Sequence, residues 1–118
     1  MLLIYISLTG KVASFVKKTG YQPCLQILTG KEIVDEPFVL ICGSTGFGET
    51  HPHLLEFLEN NFNYLKAVIG SGNKNWGNMY GKSPKDISEK YQVPLLFIFE
   101  VSGNSHDIEK FEEAMKNF

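Results

Sequence analysis

Short apolar runs alternate along this chain with stretches whose apolar residues recur every three or four positions, and the alternation predicts nine elements. Residues 2–6 form a continuous apolar strand that ends at Ser7, and a helix over 11–18 follows, with Val12, Phe15 and Val16 on one face. Gly20 stops that helix, and residues 24–28 make a second, weaker strand. Phe38–Cys42 is apolar throughout, as a strand buried on both faces should be. Thr50 or His51 caps the next helix, with Pro52 in its first turn and Leu54, Leu55, Leu58 and Phe62 expected to face inward. A fourth strand spans 65–69, a third helix includes 86–91 behind Pro84, and a fifth strand spans 95–99. Asn104 or Ser105 opens a last helix whose stripe is Ile108, Phe111, Met115 and Phe118.

Strict alternation of buried strands with helices implies an α/β fold, a parallel sheet covered by helices on both faces. The expected strand order is 2-1-3-4-5, which makes the fold a flavodoxin-like three-layer sandwich and places the reversal between strands one and three. Ligands of such sheets bind beyond the carboxyl ends of the strands at that reversal. Topology therefore selects three segments, 7–12, 43–48 and 70–77, and these are the glycine-rich loops of the chain.

At 118 residues the chain is read as one domain, 1–118. A net charge of −2 offers no basic patch for nucleic acid, and no apolar run approaches the roughly 20 residues of a membrane span. The N-terminus enters a strand directly, with no signal-peptide layout, so the expected location is the cytoplasm. Cys24 and Cys42 form no CxxC motif and no metal cluster; a disulfide between them lacks support, and two buried thiols is the reading adopted.

Each loop has a chemical use. In SLTGK, the hydroxyls of Ser7 and Thr9, Gly10 and the free amides opening a helix suit either an ordinary N-cap or an anion cradle. The second loop, STGFG, exposes Phe47 between glycines. The third, GSGNKNWG, holds the only tryptophan, Trp76, among residues that can hardly bury it. A phosphate cradle with two aromatics nearby suits a flat cofactor carrying one phosphate, and FMN meets that description better than a nucleoside triphosphate. Other motifs fail on spacing. Gly81-Lys82-Ser83 lacks the upstream glycine of a phosphate-binding P-loop, since Trp76 stands there, and the first loop lacks the glycines of GxGxxG. Ile41 and Cys42 stand where a phospho-receiver needs an aspartate. His51 and His53 read as capping or solvent-facing residues, Cys42 as a buried small residue with no histidine placed to activate it, and Lys74, Lys82 and Lys85 as a solvated face.

The segments Ser7-Leu8-Thr9-Gly10, Ser44-Thr45-Gly46-Phe47-Gly48 and Gly70-Ser71-Gly72-Asn73-Lys74-Asn75-Trp76-Gly77 together resemble the flavodoxin-like activator family of class Ib ribonucleotide reductase. The similarity extends to Gln92-Val93-Pro94 before the fifth strand and to the E-x-S-G of Glu100 to Gly103 after it, so it covers nearly the whole chain. It implies an FMN-binding redox protein, accessory to the reductase rather than a free-standing enzyme, that serves assembly of the dimanganese–tyrosyl radical cofactor in the metal-carrying small subunit. The implied co-reactants are O2 and a flavin reductant of unknown identity. By resemblance, Ser7, Leu8, Thr9, Gly10, Lys11 and Val12 form the phosphate segment. Ser44, Thr45, Gly46, Phe47 and Gly48 line the isoalloxazine, and Ser71, Gly72, Asn73, Trp76 and Gly77 close its other side. Lys11 in place of the family's usual asparagine, Cys42-Gly43 before the flavin loop, and Pro52 one residue late are the departures.

The loops expected to face the ring carry Lys11 and Lys74 against one acid, Glu49, which should ease formation of an anionic reduced flavin. No nucleophile–base pair or paired carboxylates point to turnover of a small molecule. The alternatives are a general flavodoxin electron carrier and a non-redox binding module of the same topology. For the activator reading, Phe47, Glu49, Trp76 and 78–80 are the expected partner surface.

Overall fold

The computed structural model describes residues 1–45 and 48–118, with the side chains of Trp76, Asn78 and Met79 outside the description. Five strands, β1 (Leu2–Tyr5), β2 (Cys24–Gln26), β3 (Phe38–Cys42), β4 (Leu65–Gly72) and β5 (Leu95–Glu100), form one parallel sheet in the order β2-β1-β3-β4-β5. The helices are α1 (Lys11–Thr19), α2 (Pro52–Asn61), α3 (Lys82–Tyr91) and α4 (Ser105–Met115). The flavodoxin-like sandwich expected from the alternation is the architecture observed.

The period-two geometry of the strands sorts their side chains into two cores. On one face Leu3, Val39, Ile41, Ala67, Ile69 and Phe99 pack under Val12, Phe15 and Val16 of α1 and Phe111 and Met115 of α4. On the other, Ile4, Phe38, Leu40 and Val68 lie against Leu54, Phe57 and Leu58 of α2 and Ile87 of α3. Every residue of β3 is fully buried, which is why its sequence is an unbroken apolar run.

Several boundaries and faces differ from the sequence reading. Leu55 and Phe62 were expected to face inward and are 43% and 46% exposed, whereas Phe57 is fully buried. The inward face of α2 runs Leu54, Phe57, Leu58, Asn61, because the buried Asn61 side chain is fully used. Its Oδ1 accepts from the Val34 amide, and its Nδ2 donates to the Glu32 and Phe57 carbonyls. Phe118 lies beyond α4 and is 42% exposed. α3 starts four residues before the 86–91 stretch, with Pro84 in its first turn, where no intrahelical N–H is required. Cys24 and Cys42 are both free, and only Cys42 is buried; β1 lies between their strands, too wide a separation for a disulfide. Asn104 caps α4 through a reciprocal box with Asp107.

The segment after β2 is tied by one carboxylate. Glu32 accepts from the amides of Leu28, Thr29 and Gly30 at 2.8, 3.0 and 2.9 Å. Partial burial pushes its pKa up, but these amides and its own outweigh that and bring it down to about 2. A carboxyl lowered by folding stabilises the native state fully above its ordinary value of 4.5, and that contribution is lost as pH falls from there toward 2. Glu32→Gln should therefore cost about 1 kcal/mol at neutral pH. In urea melts, the gap to wild type should narrow below about pH 4.5; a gap independent of pH would show that the charge plays no part.

Candidate functional site

At the carboxyl edge of the sheet an open pocket of about 220 Å3 lies between the loops that follow β1, β3 and β4. Leu8, Thr9, Lys11 and Val12 form its first wall, Gly43 and Ser44 its second, and Ser71, Gly72 and Asn73 its third. The topological rule for open parallel sheets thus locates the pocket, at the switch between β1 and β3.

The first wall is the head of α1. The N-cap position is Gly10, but the Ala13 amide donates to Ser7 Oγ at 3.1 Å, so Ser7 satisfies one amide of the first turn from outside the helix, and its own O–H can donate elsewhere. The first backbone bond into the helix is Ser14 N–H to Gly10 C=O at 2.9 Å. The amides of Gly10, Lys11 and Val12 have no hydrogen-bond partner among the described residues. Gly10 sits at φ +88°, which favours glycine, and nothing lies within 4 Å of where a Cβ would be. The result is a cluster of unpaired donors at the positive end of a helix, with the exposed Thr9 hydroxyl and Lys11 beside it.

The second loop closes on itself. Thr45 and Glu49 form an antiparallel bridge, with Thr45 N–H to Glu49 C=O and Glu49 N–H to Thr45 C=O both at 2.8 Å. Gly48 is at φ +98°. Gly46 and Phe47 lie outside the described residues. Ser44 Oγ accepts from the Ser83 amide at 3.0 Å, and the Thr50 and fully buried Ser83 hydroxyls are 2.6 Å apart. The loop is thereby fastened to the start of α3. His51 caps α2, its Nδ1 accepting from the His53 amide at 3.0 Å, as the capping reading expects.

The third loop begins inside β4, which runs three residues further than the expected 65–69. Gly72 lets the Tyr80 ring approach: a Cβ there would stand 2.8 Å from Tyr80 Cε1. Tyr80 thus packs back on the strand end, and burial first, then the charges of Glu100 and Asp107, raise its pKa. Asn73 is exposed at the pocket rim, its Oδ1 accepting from the Asn75 amide at 2.9 Å at the start of a 3-10 turn, Lys74–Met79. Gly77 is exposed in that turn at φ +57°, and the Trp76 side chain lies outside the described residues.

The structure thus brings segments of all three loops to one pocket, although Ser7, Gly10, Thr45, Gly48 and Gly77 stand behind or beside its lining. Gly43, the first residue of the 43–48 segment, lines it as well, and so do Ile6, Gly81 and Val101, which the sequence did not assign to the site. Gly81 arrives from the end of the 3-10 turn and Val101 from beyond β5, and the motifs that contain them, GKS and E-x-S-G, do not by themselves point to the pocket. The charge count of the loops also changes. Glu100 of β5 accepts from the Lys74 amide, so an acid joins the third loop that the loop sequences alone omit. Lys82 is paired with Asp86 at 2.7 Å, and Lys85 donates to the Tyr80 carbonyl. Cys42, at the end of β3, is fully buried and desolvation pushes its thiol up to about 12, so it holds its proton at physiological pH. Among the described residues no cluster of three or more His, Cys, Asp or Glu is placed to hold a metal, and no helix is long and apolar enough to cross a membrane.

This sheet order, with a three-loop pocket at its carboxyl edge, defines a flavodoxin-like protein. Among solved structures the chain is similar to oxidised Flavodoxin 1 from Bacillus cereus, with a TM-score of 0.73 at 16% identity over 96% of this chain and 92% of that one. It is likewise similar to a short-chain flavodoxin associated with a non-canonical PDU bacterial microcompartment, with a TM-score of 0.70 at 16% identity over 98% and 93%. The family model described as NrdI Flavodoxin like matches residues 3–113, and the chain belongs to that family.

Proposed function

We propose that this chain is a single-domain, cytoplasmic FMN protein that supplies a flavin- and O2-derived oxidant to the metal-carrying small subunit of class Ib ribonucleotide reductase. The oxidant serves assembly of that subunit's dimanganese–tyrosyl radical cofactor. The observation that carries the FMN assignment is the head of α1, where three unpaired amides meet the Ser7 and Thr9 hydroxyls at the mouth of the pocket. That donor set fits a terminal phosphate, and the helix end field and Lys11 favour its charge. Ser44 on one side, and Ser71, Gly72 and Asn73 on the other, line the space offered to a flat ring, and the motif resemblance assigns Thr45, Gly46, Phe47, Gly48, Trp76 and Gly77 to the same flavin site. Bound FMN supplies reversible electron transfer and reactivity with O2. The chain's own residues bind the phosphate, orient the ring and leave its edge toward a partner. The reductase assignment rests on membership of the NrdI flavodoxin-like family together with the motif resemblance.

Titration of the FMN-free protein should quench flavin fluorescence and yield a yellow complex; a protein that stays colourless ends the FMN reading. With a reductant and O2, the complex should be required for the tyrosyl radical signal of a manganese-loaded small subunit. A complex that reduces unrelated acceptors equally well and yields no radical is instead a general electron carrier.

A further inference from the structure

The turn after β5 carries an E-x-S-G motif that the loop chemistry leaves without a role. Glu100, the last residue of β5, faces Gly72, the last residue of β4, in parallel register. From this pair three hydrogen bonds cross between the loops. The Lys74 amide donates to Glu100 Oε2 at 3.1 Å, the Val101 amide to the Gly72 carbonyl at 2.8 Å, and the Ser71 hydroxyl to the Val101 carbonyl at 2.9 Å. A fourth bond, Gly103 N–H to Glu100 C=O at 2.9 Å, closes the turn itself. Val101 sits at φ +59°, a conformation that a β-branched residue avoids, and it lines the pocket. Such a conformation persists where its surroundings over-determine it, and here the crossing bonds to β4 do so.

We propose that Glu100 is a positioning residue whose carboxylate, aimed by the strained Val101 turn, holds Asn73–Asn75 in the shape that completes the FMN pocket. The inference rests on the FMN reading. The first two amides of the 3-10 turn are satisfied by different side chains: Asn73 takes the amide of Asn75, within the same loop, and Glu100 takes that of Lys74. Only the second of these bonds ties the turn to another element. Without it the Lys74 amide turns to water, and the rim residue Asn73 loses the anchor beside it. Glu100 is exposed, so its replacement leaves both cores intact.

Glu100→Ala and Glu100→Gln test this, with FMN affinity read by fluorescence quenching and the exchange rate of the Lys74 amide read by NMR in the FMN-free protein. Glu100→Ala should weaken FMN by about tenfold and speed the exchange by a similar factor. Glu100→Gln keeps an oxygen acceptor and should restore affinity to within about twofold of wild type. Unchanged affinity in Glu100→Ala while wild type binds FMN overturns the positioning role alone. An equal loss in both variants overturns the hydrogen bond as its means. Wild-type protein that binds no FMN overturns the underlying reading, and with it the role in the pocket.

Discussion

Thr9→Glu should fold as well as the wild type and fail to hold FMN. Thr9 is exposed at the head of α1, beside the unpaired amides of Gly10, Lys11 and Val12. A carboxylate close to the N-terminus of a helix, here one residue before the Gly10 cap, favours the helix by up to about 0.3–1 kcal/mol, so the melting temperature should hold steady or rise. The same charge competes for the donors that a phosphate needs and repels the phosphate itself, at about 4 kcal/mol for unit charges 4 Å apart near a protein surface. After screening, a loss of about a hundredfold in FMN affinity is expected, against less than about tenfold for Thr9→Ala, which removes one hydroxyl. Equilibrium titration beside a thermal melt checks both halves. Wild-type affinity in Thr9→Glu would falsify the placement of the phosphate at α1.

The second large effect concerns the fold. Phe15 of α1 is fully buried, stacked on Phe99 of β5 with ring centroids 4.0 Å apart, and it meets Phe111 of α4 edge-on at 5.9 Å. One ring thus joins two helices to the sheet. Phe15→Ala should cost about 3–5 kcal/mol, because the strands beneath cannot close the cavity. That is a large share of the 5–15 kcal/mol typical of a whole domain, so the urea midpoint should fall steeply. Phe15→Leu keeps most of the volume and should lose under about 2 kcal/mol. A loss below 1 kcal/mol for the alanine variant would mean that α1 and α4 close over the gap.

How far the chain announces its structure depends on the distance over which each signal acts. β3 was legible to the residue, because burial on both faces leaves no room for a polar side chain. Alternation implied a parallel sheet with one-handed crossovers, and the order 2-1-3-4-5 expected for five strands in so short a chain then placed the pocket at the switch point. The inward face of α2 is not legible from its sequence because Asn61 looks polar there, whereas in the fold its amide is satisfied by the backbone of Glu32, Val34 and Phe57. β4 was cut short at Gly70, where glycine reads as a turn. In the structure its missing side chain makes room for Pro84: a Cβ would stand 2.8 Å from Pro84 Cγ. Sequence does not separate a glycine that turns the chain from one that admits a neighbour. The candidate site was legible where loops carry local motifs; Gly81, at the head of α3, and Val101, after β5, join the pocket through elements distant in sequence, and the bond from the Lys74 amide to Glu100 exists only because β5 lies beside β4.

The fastening of Ser44 and Thr50 to Ser83 bears on the modularity of the site. A binding loop held only at its two ends can be cut from one scaffold and grafted to another. Here the loop after β3 takes its shape from the first turn of α3, thirty-nine residues away in sequence through Ser44 and thirty-three through Thr50. Transplanting the pocket therefore means carrying the β4–α3 connection and the head of α3 along with the loops, so the unit that can be exchanged is about half of the sandwich.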